Sequence, residues 1–357
     1  QLFPTKDKYL ELAALGTICD LQPLVGINRS IAKFGIEKLN NSDLPFVEAI
    51  KKSAAITTRI DTYEIGWVIG PRLNATGRLE SAMDSLRLLS TDSLSQAKEL
   101  ANQLTELNKL RQNQTEANLL SAISEFEDAS HKNETFPNFI VTSHESYHEG
   151  VIGLVAGKLV QTYYRPAIAI SVNKSEGKAK GSARSIKGIS IVETLRKFEH
   201  LFINVGGHDM AAGFSIEIEN IEKLKTELTK VEIGNVDSVF TKQIDIDAEI
   251  SHKLISYDTL DEINKLKPFG IGNPEPVFLI KNMKVFNISI FGKNNSHIKY
   301  FLTDEDGNEI TALAFNRKDL QNAVRLNDRI DVAATLSKNE WNGKTTLELK
   351  VKDVRLV

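Results

Sequence analysis

The sequence predicts a multidomain α/β protein. Three observations carry that prediction: a helix-patterned first quarter that runs into one very long helical stretch, a middle that alternates apolar strands with helices, and a final stretch of period-two strands. A length of 357 residues suits two or three domains. The content of 41% hydrophobic and 25% charged residues fits a globular protein with a sizeable core.

The elements follow in order. Tyr9 to Ile18 is apolar and rich in Ala and Leu, and Ile31–Leu39 and Phe46–Ile56 keep helical spacing. From residue 92 to 128, Leu94, Ala97, Ala101, Leu104 and Leu107 recur at steps of three and four, with no Gly or Pro between them. This stretch reads as a connector helix between domains, or as a long core helix within one. Phe139-Ile140-Val141 reads as a strand, Val151–Tyr163 as a helix, and Ala167–Ser171 as a buried strand. Ser190–Phe198 then reads as a helix, Phe214-Ser215-Ile216 as a strand and Ile221–Val231 as a helix. Beyond residue 277, Phe286, Ile288 and Ile290 alternate with polar residues, as do Leu347, Leu349 and Val351. Asp306-Gly307 and Asn342-Gly343 are hairpin turns. About 80 residues of this kind suit a five-stranded oligonucleotide-binding barrel, or a structural β-module without a ligand.

Composition excludes several classes. No stretch approaches the roughly 18 apolar residues of a membrane helix. The single cysteine, Cys19, forbids an internal disulfide and fits a reducing, cytoplasmic compartment. Gln1-Leu2-Phe3-Pro4-Thr5-Lys6 lacks the order of a signal peptide and an initiator Met, so the chain is expected to be a fragment of a longer one. The formal charge is −3, so attraction for a polyanion must be local.

Five segments could carry chemistry. Gly206-Gly207-His208-Asp209-Met210-Ala211-Ala212-Gly213 combines a tight, bare backbone with an imidazole. It suits a phosphate cradle, or equally a glycine turn with a surface His. Gly16-Thr17-Ile18-Cys19-Asp20 ends an apolar helix, and its carboxylate suits a hard cation only if other ligands join it. Gly70-Pro71-Arg72-Leu73-Asn74-Ala75-Thr76-Gly77-Arg78-Leu79 reads as a glycine-bounded loop whose guanidinium forks suit phosphate oxygens, or as a polar loop with salt-bridged arginines. His144-Glu145-Ser146-Tyr147-His148-Glu149-Gly150 sits between strand and helix, where zinc ligation is a weak reading and structural histidines the default. Lys178-Ala179-Lys180-Gly181-Ser182-Ala183-Arg184-Ser185 lies in a stretch, 156–200, with nine Lys/Arg against three Glu, a local basic field for a polyanion or else a solvated basic face.

The order of these segments, followed by Pro268-Phe269-Gly270-Ile271-Gly272-Asn273-Pro274-Glu275-Pro276, resembles the RecJ family, single-strand-specific exonucleases of the DHH phosphoesterase superfamily. The resemblance covers nearly the whole chain. It implies the C-terminal part of a DHH phosphoesterase domain at 1–91, a connector helix at 92–130, a DHH-associated α/β domain at 131–235, a link at 236–276 and an OB-type barrel at 277–357.

The implied activity is 5′-to-3′ hydrolysis of single-stranded DNA by two Mn2+ or Mg2+ ions, in DNA repair and recombination. Asp20 resembles the last metal-binding aspartate. Asn74 and Arg78 would face the substrate backbone. Ser182 and Arg184 would contact phosphate at an incoming 5′ end. Gly206 and Gly207 would cradle a phosphate, with His208, the implied catalytic residue, at the scissile group. His148 would lie in the same cleft. Phe286, Phe291, Tyr300 and Trp341 are aromatics available to the barrel, some of them core. The implied partner is single-stranded DNA, with a single-strand-binding protein or a helicase as protein partner, no membrane, and a monomeric state.

No Asp-His-His triplet occurs in the 357 residues. The chain alone is therefore expected to bind single strands and to hydrolyse them poorly or not at all. Two other readings stay open: a DHH phosphodiesterase of short or cyclic nucleotides, which the barrel argues against, and a non-catalytic strand-binding relative.

Overall fold

A computed structural model describes residues 8–79, 81–130, 136–292, 295–341 and 343–357. The chain divides into two compact units, one made of residues 1–41, 60–65 and 243–357, the other of 42–59 and 66–242.

In the first unit, α1 (Lys8–Cys19) packs on α2 (Gly26–Asn40). In the second unit, α3 (Pro45–Ser53), α4 (Gly70–Leu79) and α5 (Met83–Ser90) pack on α6 (Leu94–Ser130). At 37 residues, α6 spans about 55 Å. Residues 70–79, expected as a loop, are the helix α4, preceded by a π-helical stretch at Glu64–Ile69. Pro71 sits at the start of α4, where its missing N–H costs nothing, and Leu73, Ala75 and Leu79 are ordinary helix formers. The helix puts Asn74 and Arg78, four apart, on one face.

The α/β part follows as β1 (Ile140–His144), α7 (Ile152–Tyr163), β2 (Ala167–Asn173), β3 (Lys178–Arg184), α8 (Ile191–Arg196), β4 (Phe202–His208), β5 (Ala211–Glu217) and α9 (Ile221–Thr229). The sheet order is β1-β2-β3-β5-β4, with only β1 and β2 parallel. Ile140, Ala167 and Ala169 pack under α6 and α7, while Ile168, Ile170, Phe214 and Ile216 pack with α8 and α9 on the other face.

Two of these strands were not expected from sequence. Strand β3 alternates exposed Lys178 and Lys180 with inward Ala179, Gly181 and Ala183. Its inward residues are small because the Phe214 ring lies on Gly181, where a Cβ would meet the ring at 2.0 Å. The pair Gly206-Gly207, read as a turn, lies inside β4; the reversal falls at Asp209-Met210. The Ile191 N–H donates to the Asp209 carbonyl, and the Ser190 hydroxyl donates to its carboxylate at 2.7 Å, which pins that turn.

After α10 (Val236–Val239), the first unit resumes with β6 (Ala248–Glu249), α11 (Tyr257–Asn264), β7 (Phe278–Phe291), β8 (His297–Thr303), β9 (Glu309–Ala314), β10 (Arg329–Trp341) and β11 (Lys344–Leu356). Strands β7-β8-β9-β11-β10 close back onto β7 as a five-stranded barrel, as the period-two pattern predicts. Ile298, Tyr300, Leu302, Leu349 and Val351 fill it. Leu260 and Ile263 of α11 join the same core, from residues expected as a link. Of the two expected hairpins, Gly307 takes a positive φ between β8 and β9, as its turn requires. Asn342 lies outside the described residues, although Trp341 and Lys344 on either side are paired. No described helix is long and apolar enough to cross a membrane.

Candidate nucleic-acid interface

The sheet of the second unit offers a half-bare face. Backbone register aligns Ser182 with Gly213 and Gly206, and Arg184 with Ala211 and His208. Directly paired residues share a face, so two neighbouring rows run from β3 to β4 across one side of the sheet. Two strand spacings separate Arg184 from His208, about 10 Å. Beyond β3, Gly213, Gly206 and His208 are exposed. The result is a shelf floored by small residues, with a guanidinium at one side and an imidazole at the other.

The start of α7 closes the guanidinium side. Gly153 lies so near Arg184 and Ser182 that a Cβ there would be 2.9 Å from Nη2 and 3.1 Å from Oγ. Arg184 Nη1 donates to Ser182 Oγ at 3.0 Å and to its neighbour's carbonyl at 2.8 Å. From α4, Arg78 Nη1 donates to the Gly150 carbonyl at 3.3 Å. Gly150 is itself pressed against the Arg78 backbone, and its N–H donates to His148 Nδ1 at 3.1 Å. Arg78, His148, Ser182 and Arg184 thus converge where α4, the β1–α7 loop and β3 meet. Asn74, also on α4, is exposed.

Two arginines join this site that the motifs did not single out together. Arg72 Nε donates to Thr105 Oγ1 of α6 at 3.2 Å. Arg111, further along α6, was not foreseen, because a lone Arg in a long polar helix has no local signature. Burial lowers the pKa of Arg78 and of Arg72. Burial and then Arg78 lower Arg184; burial, Arg78 and Arg72 lower Arg111. Like charges therefore sit together in partial burial. Among the described residues, none of the four pairs with a carboxylate. The outer lysines differ: Lys180 pairs with Glu149 at 2.6 Å and Lys174 with Glu145.

Metal readings fare otherwise. No three His, Cys, Asp or Glu come together among the described residues. Both glutamates of the His144–Gly150 segment are taken by lysines, and His144 Nδ1 meets Ser146 Oγ at 2.7 Å. Asp20 is exposed after α1, its Oδ2 accepting from Gln22 Nε2 at 2.7 Å. The described residues do not by themselves compose a two-metal centre.

On the barrel, Tyr300 is core, 1% exposed, its hydroxyl donating to the Leu320 carbonyl. Outward rows on β7 and β8 pair Asn287 with Phe301, Ser289 with Lys299, and Phe291 with His297. Phe291, His297 and Phe315 form one ring cluster, with centroids 5.2–6.2 Å apart. Lys299 Nζ stands 5.9 Å from the Phe301 ring. Half-exposed Phe286, 6.1 Å from Phe301, lines a groove of about 420 Å³ with Tyr257, Thr311 and Thr346. The side chain of Trp341 lies outside the described set.

The family description "DHHA1 domain" matches residues 136–232, and "RecJ OB domain" matches 246–353. A single-stranded-DNA-specific exonuclease RecJ of Bacillus subtilis is 34% identical over 97% of this chain and 44% of its own length. RecJ of Thermus thermophilus superposes with a TM-score of 0.81 at 29% identity, over 99% of this chain. It was solved in complex with Mg2+ and with Mn2+, and this chain covers 53% and 50% of those two chains. The chain spans about half the length of the relatives it matches most fully. Motif order, shelf, closed barrel and these likenesses together make this a RecJ-like chain that carries a DHHA1 domain and a RecJ OB domain.

Proposed function

We propose that this chain is the strand-binding part of a single-strand-specific exonuclease and that its α/β shelf receives a 5′-phosphorylated end. The observation that carries this is the convergence of Arg78, Ser182 and Arg184, without carboxylates among the described residues, beside a floor of small residues. Guanidinium forks match phosphate oxygens bidentately, and a bare floor lets the sugar-phosphate chain lie against backbone. Gly206, Gly207 and His208 would hold the next phosphate across the shelf, with His208 as a donor towards the scissile group. Asn74 shares the α4 face of Arg78. His148 is held by the Gly150 N–H and would steady the loop beneath Arg78.

The barrel would grip bases rather than the end. Its outer face sets the Phe291–His297–Phe315 cluster, Lys299 and Phe301 on successive rows, a stacking-and-charge track of the kind that binds single strands. The longer protein would remove nucleotides from the 5′ end with divalent metal, as a monomer in the cytoplasm during repair and recombination. Asp20 would be one carboxylate of a set that the described residues do not complete.

Fluorescence anisotropy with this chain tests the reading. A 5′-phosphorylated single strand should bind several-fold tighter than its 5′-hydroxyl counterpart and far tighter than a blunt duplex. Affinity should fall steeply with salt, because each phosphate contact releases counterions. Equal affinity for phosphorylated and hydroxyl ends would overturn the end-binding role. Tight binding of dinucleotides or cyclic dinucleotides, with no preference for longer strands, would favour a phosphodiesterase of short nucleotides.

A further inference from the structure

We propose that Arg111 of the long helix, with Arg72, forms the α6 side of a second phosphate subsite, for the diester next to the terminal phosphate, which Gly206, Gly207 and His208 would approach from the shelf; this rests on the reading of the shelf as a 5′-end site. The helices α4 and α6 set the geometry. Arg72 touches Thr105. Arg78 and Arg111 each lie six residues further on, about 9 Å along their helices. Arg78 meets Gly150, and Tyr147, three residues before it, donates to Glu125 of α6. Helix α4 therefore runs from Thr105 towards Glu125, in the same direction as α6, and its step of six brings Arg78 level with Arg111. The charge of Arg78 felt at Arg111 agrees. Arg111 therefore borders the site that Arg78 and Arg184 share.

Two observations point to a ligand there. The Nε of Arg111 is buried and has no hydrogen-bond partner. Along the same helix, at steps of three and four, Asn108 Oδ1, Gln114 Oε1 and Asn118 Nδ2 are also buried without partners, and Asn108 and Asn118 are 3% and 7% exposed. Unpaired buried polar groups are costly and mark places where something else binds. Charge gives the number of phosphates. Four guanidiniums face a terminal phosphomonoester of only about −1.5 to −2. The surplus positive charge matches one or two further diesters of −1 each. Arg184, Arg78 and Ser182 suit the terminal group, and Arg111 suits the next, with Nη2 of Arg72, whose Nε and Nη1 donate to Thr105 and to the Val68 carbonyl.

Binding of three 5′-phosphorylated probes to the whole chain tests this: thymidine monophosphate (one phosphate), the dinucleotide (two) and a twelve-nucleotide thymidine strand. Arg111→Gln should weaken the dinucleotide and the strand by about tenfold, the loss of one charge-assisted contact, and leave the mononucleotide within about twofold. Its salt slope on the strand should fall by about 0.7. Arg111→Lys, which keeps the charge and the fold, should lose only about threefold, on the same two probes. Arg184→Gln should weaken all three. The subsite is refuted if Arg111→Gln leaves dinucleotide and strand unchanged, or weakens the mononucleotide equally. Should the unsubstituted chain show no preference for 5′-phosphate, the end-site reading falls first and the subsite with it.

Discussion

Arg317 and Arg355 of the barrel and Arg78, Arg111 and Arg184 of the α/β unit are built in opposite ways. Arg317 donates to both oxygens of Asp319 at 2.8–3.0 Å and to Asp353 at 2.7 Å. Asp319 first, and Asp353 after it, push its guanidinium above the ordinary range against the cost of burial. Arg355 likewise reaches Asp331 at 2.6 Å. Arg78 and Arg184 bond only carbonyls and one hydroxyl, Arg111 has a bare Nε, and burial lowers all three, with the charge of Arg78 adding to it at Arg111 and Arg184. A paired arginine completes a fold. An unpaired, half-buried one carries a cost that an arriving anion relieves. Chemical type alone does not separate the two kinds of arginine; partners do.

The largest effect that could break this contrast is at Arg184. Arg184→Gln should weaken binding of a 5′-phosphorylated strand by about 2–3 kcal/mol, roughly 30- to 150-fold, with little loss of thermal stability. A stability loss with binding intact would make Arg184 a fold residue like Arg317. The mirror case is Asp331. Its carboxyl is pushed up by burial, but the Arg355 guanidinium and the Asn282 N–H outweigh that and hold it below the usual range. Its folded pKa thus lies below its unfolded value of about 3.9. The stability it contributes is present above about pH 4 and is lost as pH falls through the folded value. Asp331→Asn should cost about 1–3 kcal/mol at neutral pH, flatten the acid limb of denaturant midpoint against pH, and leave strand binding alone.

Much of the fold was legible in the sequence, and the contrast above was not. Helices α1, α6, α7 and α9, strands β1, β2 and β5, and the barrel announced themselves because their buried positions carry large apolar residues at regular period. Strand β3 stayed hidden because its inward face is Ala179, Gly181 and Ala183, kept small by Phe214, and β4 because its apolar start at residues 202–205 runs into Gly206-Gly207 on the open shelf. Residues 70–79 looked like a loop because glycines bound them, yet Pro71 starts a helix as readily as a turn. The site motifs were readable as types, and the structure brings Arg78, His148, Ser182 and Arg184 together while Asp20 stands on the other unit. Arg111 was illegible, since only tertiary packing reveals which arginine lacks a partner.

Two smaller effects sharpen the comparison. Gly153→Ala adds a methyl against the mobile ends of Arg184 and Ser182, so it should shift them and weaken strand binding about tenfold. The same change lies in a helix, where Ala is favoured over Gly by roughly 0.5–1 kcal/mol, so the melting temperature should hold or rise. Opposite signs for binding and stability would separate a site displacement from general damage; a fall in both would not. The smallest effect belongs to Asp353, half-exposed at 49% and one of two carboxylates on Arg317. Asp353→Asn leaves Asp319 in place with its bidentate contact, so chemical denaturation should register less than about 1 kcal/mol, reduced further by salt. Strand affinity should not move, because Arg317 keeps a carboxylate and has no charge left over for a phosphate. A gain in strand affinity on removing Asp353 would instead show that pairing on the barrel restrains an arginine able to bind DNA, and the division between structural and anion-binding arginines would then be one of degree.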